Sequence, residues 1–305
     1  NFSHNQKIIQ VSDKAGNLSK FRINFFSESQ LDSGNSHNCA IKEDKSVVCW
    51  GDNTSNQISA PLNLKAIQVS AGHSHTCAIK EDQSVVCWGR NIEGQTTVPI
   101  NLKAIQITTG MFHSCAIKRD KSVVCWGDNT VGQITVPTGL KALRVQSVRH
   151  HTCAIKENES VVCWGHNLGG QIDVPLNLKA SQVTAGHLLS CAIKEDKKVV
   201  CWGDSSKGAL WVDGLFAIEV VAGVFHSCAI ETDKSVVCYG DNSLGQKSVP
   251  SDLKVNLLTA GEYHSCSVKD DRSVICWGDN SKGQINVPSH LRVTQKKFFF
   301  TPKNP

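Results

Sequence analysis

The sequence has no apolar run approaching eighteen residues, so it encodes no helix of membrane-spanning length. It also lacks any run of five or six like charges. Charges of both signs interleave instead, as in Lys42-Glu43-Asp44-Lys45, and read as a solvated surface. The formal net charge is +5, an excess too mild to call for a nucleic-acid partner. An initiator Met and a signal peptide are both missing, so residue 1 is expected to lie inside a longer gene product. No cysteine is left over, since all 14 fall into pairs of equal spacing. That usage favours disulfides and an oxidising compartment. With 305 residues the chain has room for one large domain or two ordinary ones.

The cysteine pairs mark a repeat. Their first members are Cys39, Cys77, Cys115, Cys153, Cys191, Cys228 and Cys266, and their second members are Cys49, Cys87, Cys125, Cys163, Cys201, Cys238 and Cys276. The period is 38 residues, with a single step of 37 between Cys191 and Cys228. Within one unit, residues 66–72 alternate, carry β-branched side chains and end in glycine: a strand, then a turn. Residues 76–80 and 84–88 are two more short strands around a charged turn. A glycine-flanked loop follows, and residues 96–99 offer a short outer strand that Pro99 stops. No window has a helical period. Three to four strands per unit, repeated seven times, predict an all-β, seven-bladed propeller, because each small sheet must stack on its neighbours to bury both faces. The domain boundaries are expected at 1–29, 30–290 and 291–305.

Hairpin register tests the cysteines. With Glu43-Asp44-Lys45 as a three-residue turn, Cys39 and Cys49 face each other at a non-hydrogen-bonded pair, where side chains come closest. One disulfide per blade fits there. Reduced buried thiols and metal sites are the alternatives; zinc motifs usually space cysteines by two to four residues and need four ligands. Asp or Asn occupies the centre of every turn and is expected to tolerate its left-handed or bridge conformation.

Other landmarks recur in order. Glycine precedes a loop ending in His37, His75, His113, His151, His226 and His264, with Val148 and Leu189 as departures. Trp50, Trp88, Trp126, Trp164, Trp202 and Trp277 recur, with Tyr239 once in their place. Gln57, Gln95, Gln133, Gln171, Gln246 and Gln284 follow, with Ala209 breaking the pattern. This grammar resembles the regulator of chromosome condensation repeat family over about residues 30–290. The short unit ending in Val-Pro looks most like the bacterial branch that includes the second type of β-lactamase inhibitory protein. The paired cysteines look like secreted bacterial members and the ectodomains of plant crinkly-type receptor kinases. The resemblance implies a seven-bladed propeller used for protein contacts. It does not imply nucleotide exchange, because nothing in this sequence corresponds to the added wedge that does that work in the eukaryotic namesake.

The ends read differently. Residues 7–26 form two alternating runs around a turn, a β-hairpin. It resembles the last strands of bacterial immunoglobulin-like surface domains; an extra hairpin packed on the propeller is the other reading. Residues 291–295 offer one more strand before the tail.

Chemistry is hard to find outside the repeat. A histidine required by every unit is expected to serve packing and hydrogen bonding rather than a metal. Asp52, Asp128, Asp204, Asp241 and Asp279 lack the acidic ladder of a calcium loop, and Asx turns account for them. The tryptophans are expected in the core between blades. No Ser-His-Asp, paired-carboxylate or phosphate-loop constellation stands apart. No catalytic residue, metal or cofactor is therefore expected.

The informative variation lies in the loops before each first cysteine and after each Trp-Gly, which strand order places on one face. Met111, Phe112, Leu188, Phe225 and Tyr263 are large apolar groups there, joined by Arg149, His150, Glu262, Arg90 and His166. Aromatics beside arginine are common interface anchors. These ten residues are expected to form a partner-binding face, the alternative being that they lean inward onto adjacent loops. The chain is thus read as a secreted or surface-exposed recognition module, bacterial extracellular or periplasmic, non-enzymatic and binding another protein. A glycan-binding adhesin or lectin is the alternative, then a propeller hydrolase or lyase, then a spacer. No membrane insertion is expected.

Overall fold

In the computed structural model, the structure describes residues 6–12, 18–24, 30–204, 206 and 212–294. Among these residues are seven three-stranded antiparallel sheets and one two-stranded sheet. The two-stranded sheet pairs Gln6–Ser12 with Leu18–Asn24. The seven sheets are the blades. In the second, the inner strand is Ala66–Ala71, the middle His75–Lys80 and the outer Val85–Gly89. Each inner strand touches the inner strand of the next blade, and the seventh, Val255–Ala260, touches the first, Leu31–Ser33. The ring is closed.

The sequence pattern explains the stacking. Middle strands are buried along their length because each is sandwiched between two blades. Their side chains alternate in direction. Cys77 and Ile79 pack forward against Ala104, Ile107, Ala116 and Trp126 of the third blade. Ala78, between them in sequence, packs backward among Cys39, Ile41 and Val69. A large residue faces one neighbour and a small one the other, so the interblade layers interdigitate.

The hairpin register is the expected one: Cys39 lies opposite Cys49 and Ala40 opposite Val48. All seven pairs are disulfides, with Cα separations of 4.0 to 4.1 Å. The turn corrects one expectation. The left-handed residue is the one after the Asp, Lys45 at φ 67° and Gln83 at φ 67°. The Asp works as an acceptor: Asp44 Oδ1 takes hydrogen bonds from the Ser46 amide (3.0 Å) and hydroxyl (2.6 Å).

Among the described residues no fourth strand forms. Residues 96–99 turn tightly instead: the Thr97 amide donates to the Gly94 carbonyl and the Val98 amide to the Thr96 carbonyl. Pro99, without an N–H, does not continue a ladder.

Closure uses both ends of the propeller. In the second blade Ala66 opens the inner strand, opposite Lys80. In the first blade that position is taken by Val293, which bridges Lys42, while Gln30 and Leu31–Ser33 complete the strand. Val293 and Leu291 join Leu31, Ala40 and Trp50 in one core cluster. Residues beyond 294, and Ala209, lie outside the described residues.

The hairpin turns form a charged lower face. Lys65, Lys103 and Lys141 bind Asp44, Asp82 and Asp120. Other pairs cross from blade to blade: Lys45 to Glu81, Lys121 to Glu157 and Lys234 to Asp270. Exposed pairs of this kind contribute little individually, on the order of 0–1 kcal/mol.

Candidate functional site: the loop face

The opposite, upper face is built on a repeated polar network. The Thr76 hydroxyl donates to the Gln57 carbonyl at 2.9 Å, so its oxygen accepts from His37 Nε2, also at 2.9 Å. The indole of Trp88 donates to that same Gln57 carbonyl at 2.9 Å. His75 meets Ser114, His113 meets Thr152, His151 meets Ser190, His226 meets Ser265, and His264 donates to Asn38 Oδ1. Each histidine therefore ties its blade to the next. Burial holds these imidazoles neutral, with pKa lowered to about 3 for His75, His113, His151 and His264 and about 4 for His37 and His226.

The recurring glycine is demanded by the axis. A Cβ on Gly34 would lie 2.2 Å from the Gly72 carbonyl oxygen and 2.6 Å from its own blade's His37 ring. The fourth blade breaks this collar: Val148 replaces the glycine, and Arg149 takes a positive φ of 44°. The Arg149 carbonyl then accepts from the Met111 amide at 2.8 Å.

The loop after Trp-Gly follows a second rule: the Gln side-chain amide requires an acceptor. Asp supplies it in four blades, as Asp52 does for Gln57 at 2.7 Å. Glu93 supplies it for Gln95 at 2.9 Å, and His166 Nδ1 for Gln171 at 2.8 Å. Two departures in the sequence, Arg90 and His166, are thus explained. In the fourth blade a ring nitrogen replaces the carboxylate. In the second, Glu93 takes over the role, and Arg90, forked onto Glu93, lies over the Phe112 ring at 5.1 Å.

All ten residues singled out in the sequence lie on this face. All ten are half-buried, and most of them stack on one another around the axis. One run of rings is His73–Phe112–His150–His166, with successive centroids 5.8, 6.0 and 6.2 Å apart. A second is His187–Phe225–Tyr263, at 5.7 and 6.2 Å. Between them Arg149 of the fourth blade pairs with Glu262 of the seventh. Burial still raises the Glu262 carboxyl above its usual range, outweighing the guanidinium. Met111 lines the axial mouth beside this pair. Leu188 sits against Gly169, outside the ring runs. Burial also lowers His73, His150 and His187.

Sequence reasoning missed two neighbours. Ile92 and Leu168, in the loops after Trp-Gly, are 79% and 90% exposed. Their only signal was being large and aliphatic where other blades carry Thr130 or Ser243. It also missed Asp32, on the wall of an axial cavity of about 100 Å³. Asp32 accepts from the Ser70 hydroxyl and the Ala71 amide, and burial raises its pKa to about 6.

The description "Regulator of chromosome condensation (RCC1) repeat" matches residues 29–57, 66–95, 104–133, 180–209, 217–246 and 255–284, more than half of the chain. The chain belongs to that repeat family. The unmatched unit is the fourth blade, where the glycine collar breaks. Among solved structures, the CRINKLY WD40 ectodomain of the Arabidopsis thaliana receptor kinase ACR4 is 26% identical, with a TM-score of 0.69 over 82% of this chain and 97% of that one. The entire ectodomain of the Physcomitrella patens receptor kinase CR4 is 27% identical, with a TM-score of 0.69 over 81% of this chain and 71% of that one. Prp20p from Saccharomyces cerevisiae shares the fold at 16% identity, with a TM-score of 0.69 over 92% and 87%. A comparison with curated proteins finds no match. As an RCC1-repeat propeller, this chain keeps the family's landmarks in the interblade network and varies where the upper loops meet solvent.

Proposed function

We propose that this RCC1-repeat propeller is a secreted or cell-surface recognition module that binds another protein through its upper loop face. The observation that carries the reading is the continuous arc of Arg90, Phe112, His150 and His166, flanked by exposed Ile92 and Leu168. It combines rings already held by their neighbours with aliphatic groups free to be covered. Pre-packed rings lose little entropy on binding, so few anchors suffice. Seven disulfides suit an oxidising compartment. The ectodomain relatives belong to receptor kinases, and Prp20p is described by its binding to Gsp1p and histones. A non-enzymatic role agrees with the small axial cavity, about 100 Å³ against the roughly 300–1,000 Å³ common in ligand sites.

The test is capture from bacterial and host surface extracts under oxidising conditions. Wild type is compared with Phe112→Ala/Phe225→Ala/Tyr263→Ala, after both show the same cooperative unfolding. A protein held by wild type and bound at least about tenfold more weakly by the variant supports the reading. Capture unchanged by the triple substitution moves the site to another face. Loss of capture on glycan competition replaces the protein partner with a glycan.

A further inference from the structure

The lower face has features that neither the fold nor the loop-face reading uses. At the end of each middle strand sits one residue of a ring. In blades seven, one, two, three and four it is Lys269, Lys42, Lys80, Lys118 and Lys156, and none of these five makes an ion pair among the described residues. The fold does not demand lysine there, since blade six carries Glu231 and blade five a Lys194 bound to Asp196. The acids of the surrounding turns are largely engaged by other lysines, as in the Asp44, Asp82 and Asp120 pairs. The result is an arc of lysines without direct ion pairs over five consecutive blades, of which Lys269 acts at longer range on Asp271.

Within the same sector stand three aliphatic side chains. Leu62, Ile100 and Leu176 are 91%, 93% and 92% exposed. Each is at the apex of a tight turn closed by a Leu amide donating to a Pro carbonyl, with the next Asn at φ 57° or 58°. Leu62 borders a groove with Lys80, Glu81 and Asp82, which puts this corner at the edge of the lower face. The same turn closes with Thr138 or Ser289 at the apex, so packing does not require an aliphatic group.

We infer that the lower face docks flat on an anionic lipid surface, with the lysine arc among the headgroups and Leu62, Ile100 and Leu176 dipping to the acyl boundary. Charge and apolarity occur together, as interfacial binding requires. The aliphatic groups stand singly, 91–93% exposed, and the groove beside Leu62 is open and lined by the charged Lys80, Glu81 and Asp82. A fluid interface takes such isolated points without shape complementarity, whereas a protein partner favours a contiguous patch. In this orientation the upper face points away from the membrane. The inference does not depend on what the upper face binds.

The experiment is sedimentation of the full chain with vesicles of phosphatidylcholine alone or mixed with phosphatidylglycerol. The expected result is partition onto the mixed vesicles only, weakened by salt. Two variants, Lys42→Gln/Lys80→Gln/Lys118→Gln/Lys156→Gln/Lys269→Gln and Leu62→Ser/Ile100→Ser/Leu176→Ser, each lower it more than about tenfold. All eight positions are at the surface, and unfolding midpoints check that both variants fold. Phe112→Ala/Phe225→Ala/Tyr263→Ala partitions like wild type; its failure to do so would put the contact on the upper face and overturn the assignment. No partition overturns it as well. Loss with the lysine variant alone leaves charge adsorption without insertion, and heparin binding without vesicle binding makes the ligand a soluble polyanion; either result sinks the lipid proposal.

Discussion

Between blades two and three, and between blades five and six, the same space is filled by different chemistry. At the first junction His75 bonds Ser114, Ser114 donates to the Gln95 carbonyl, and Trp126 donates to that carbonyl too. At the second, Leu189 stands where the histidine would be, Tyr239 replaces the tryptophan, and the buried Ser227 hydroxyl has no partner among the described residues. An apolar cluster of Leu189, Val199, Val212, Val220 and Ala229 holds that junction instead. The 37-residue step falls there as well. The difference teaches that the landmarks act as one unit. Where the histidine is absent the tryptophan and the glutamine of the junction are absent too, and only Ser227 stays; an apolar filling takes the place of a network that would be half satisfied.

The largest expected effect is on pH dependence. A buried histidine with its folded pKa near 3 or 4, against about 6.5 unfolded, binds its proton only in the unfolded chain. Stability is therefore full above pH 6.5 and falls as acidification proceeds toward 4. From pH 7 to 5 the loss is about 2 kcal/mol per histidine. Asp32 works the other way: its raised pKa, about 6, makes its charge costly above that pH, and protonation between about 6 and 4 returns some stability. Thermal unfolding of the oxidised protein should show a steep net loss. His75→Leu should reduce that slope; an unchanged slope would mean the histidines do not carry it.

Next in size is the disulfide. The loop it closes has the same length in every blade, a separation of 10. Cys115→Ser/Cys125→Ser and Cys191→Ser/Cys201→Ser should each cost roughly 2–3 kcal/mol. A much larger cost in blade five, by denaturant titration, would show that its bridge compensates for the missing histidine bond.

A smaller contrast separates the junctions directly. Ser114→Ala should cost about 1–2 kcal/mol, since it strands His75 and leaves the Gln95 carbonyl with the Trp126 indole alone. Ser227→Ala should be neutral or slightly stabilising, because among the described residues the hydroxyl it removes has no partner. Equal costs in calorimetry would refute the comparison. Trp126→Tyr should cost at least about 1 kcal/mol, since it removes the indole bond and part of a buried ring's packing, read from the unfolding midpoint.

The period, the hairpin register, the cysteine partners and the burial of His and Trp were legible in the sequence. Each rests on contacts within about ten residues or on a demand that every unit repeats. Two local details escaped. The left-handed residue follows the Asp of each turn, because the carboxylate is used as an acceptor. The outer strand is absent, because Pro ends the segment and the Gln side chain folds the loop before it. Placing the variable loops on one face needed only strand order. That they stack into two ring runs, and that Arg149 meets Glu262 across 113 residues, was decided by closing the ring. So was the splice of Val293 into the first blade. A repeat specifies its own blade and its fit to an identical neighbour. What faces across the axis and how Val293 enters the first blade depend on several units at once. Those were settled only when the seven blades met.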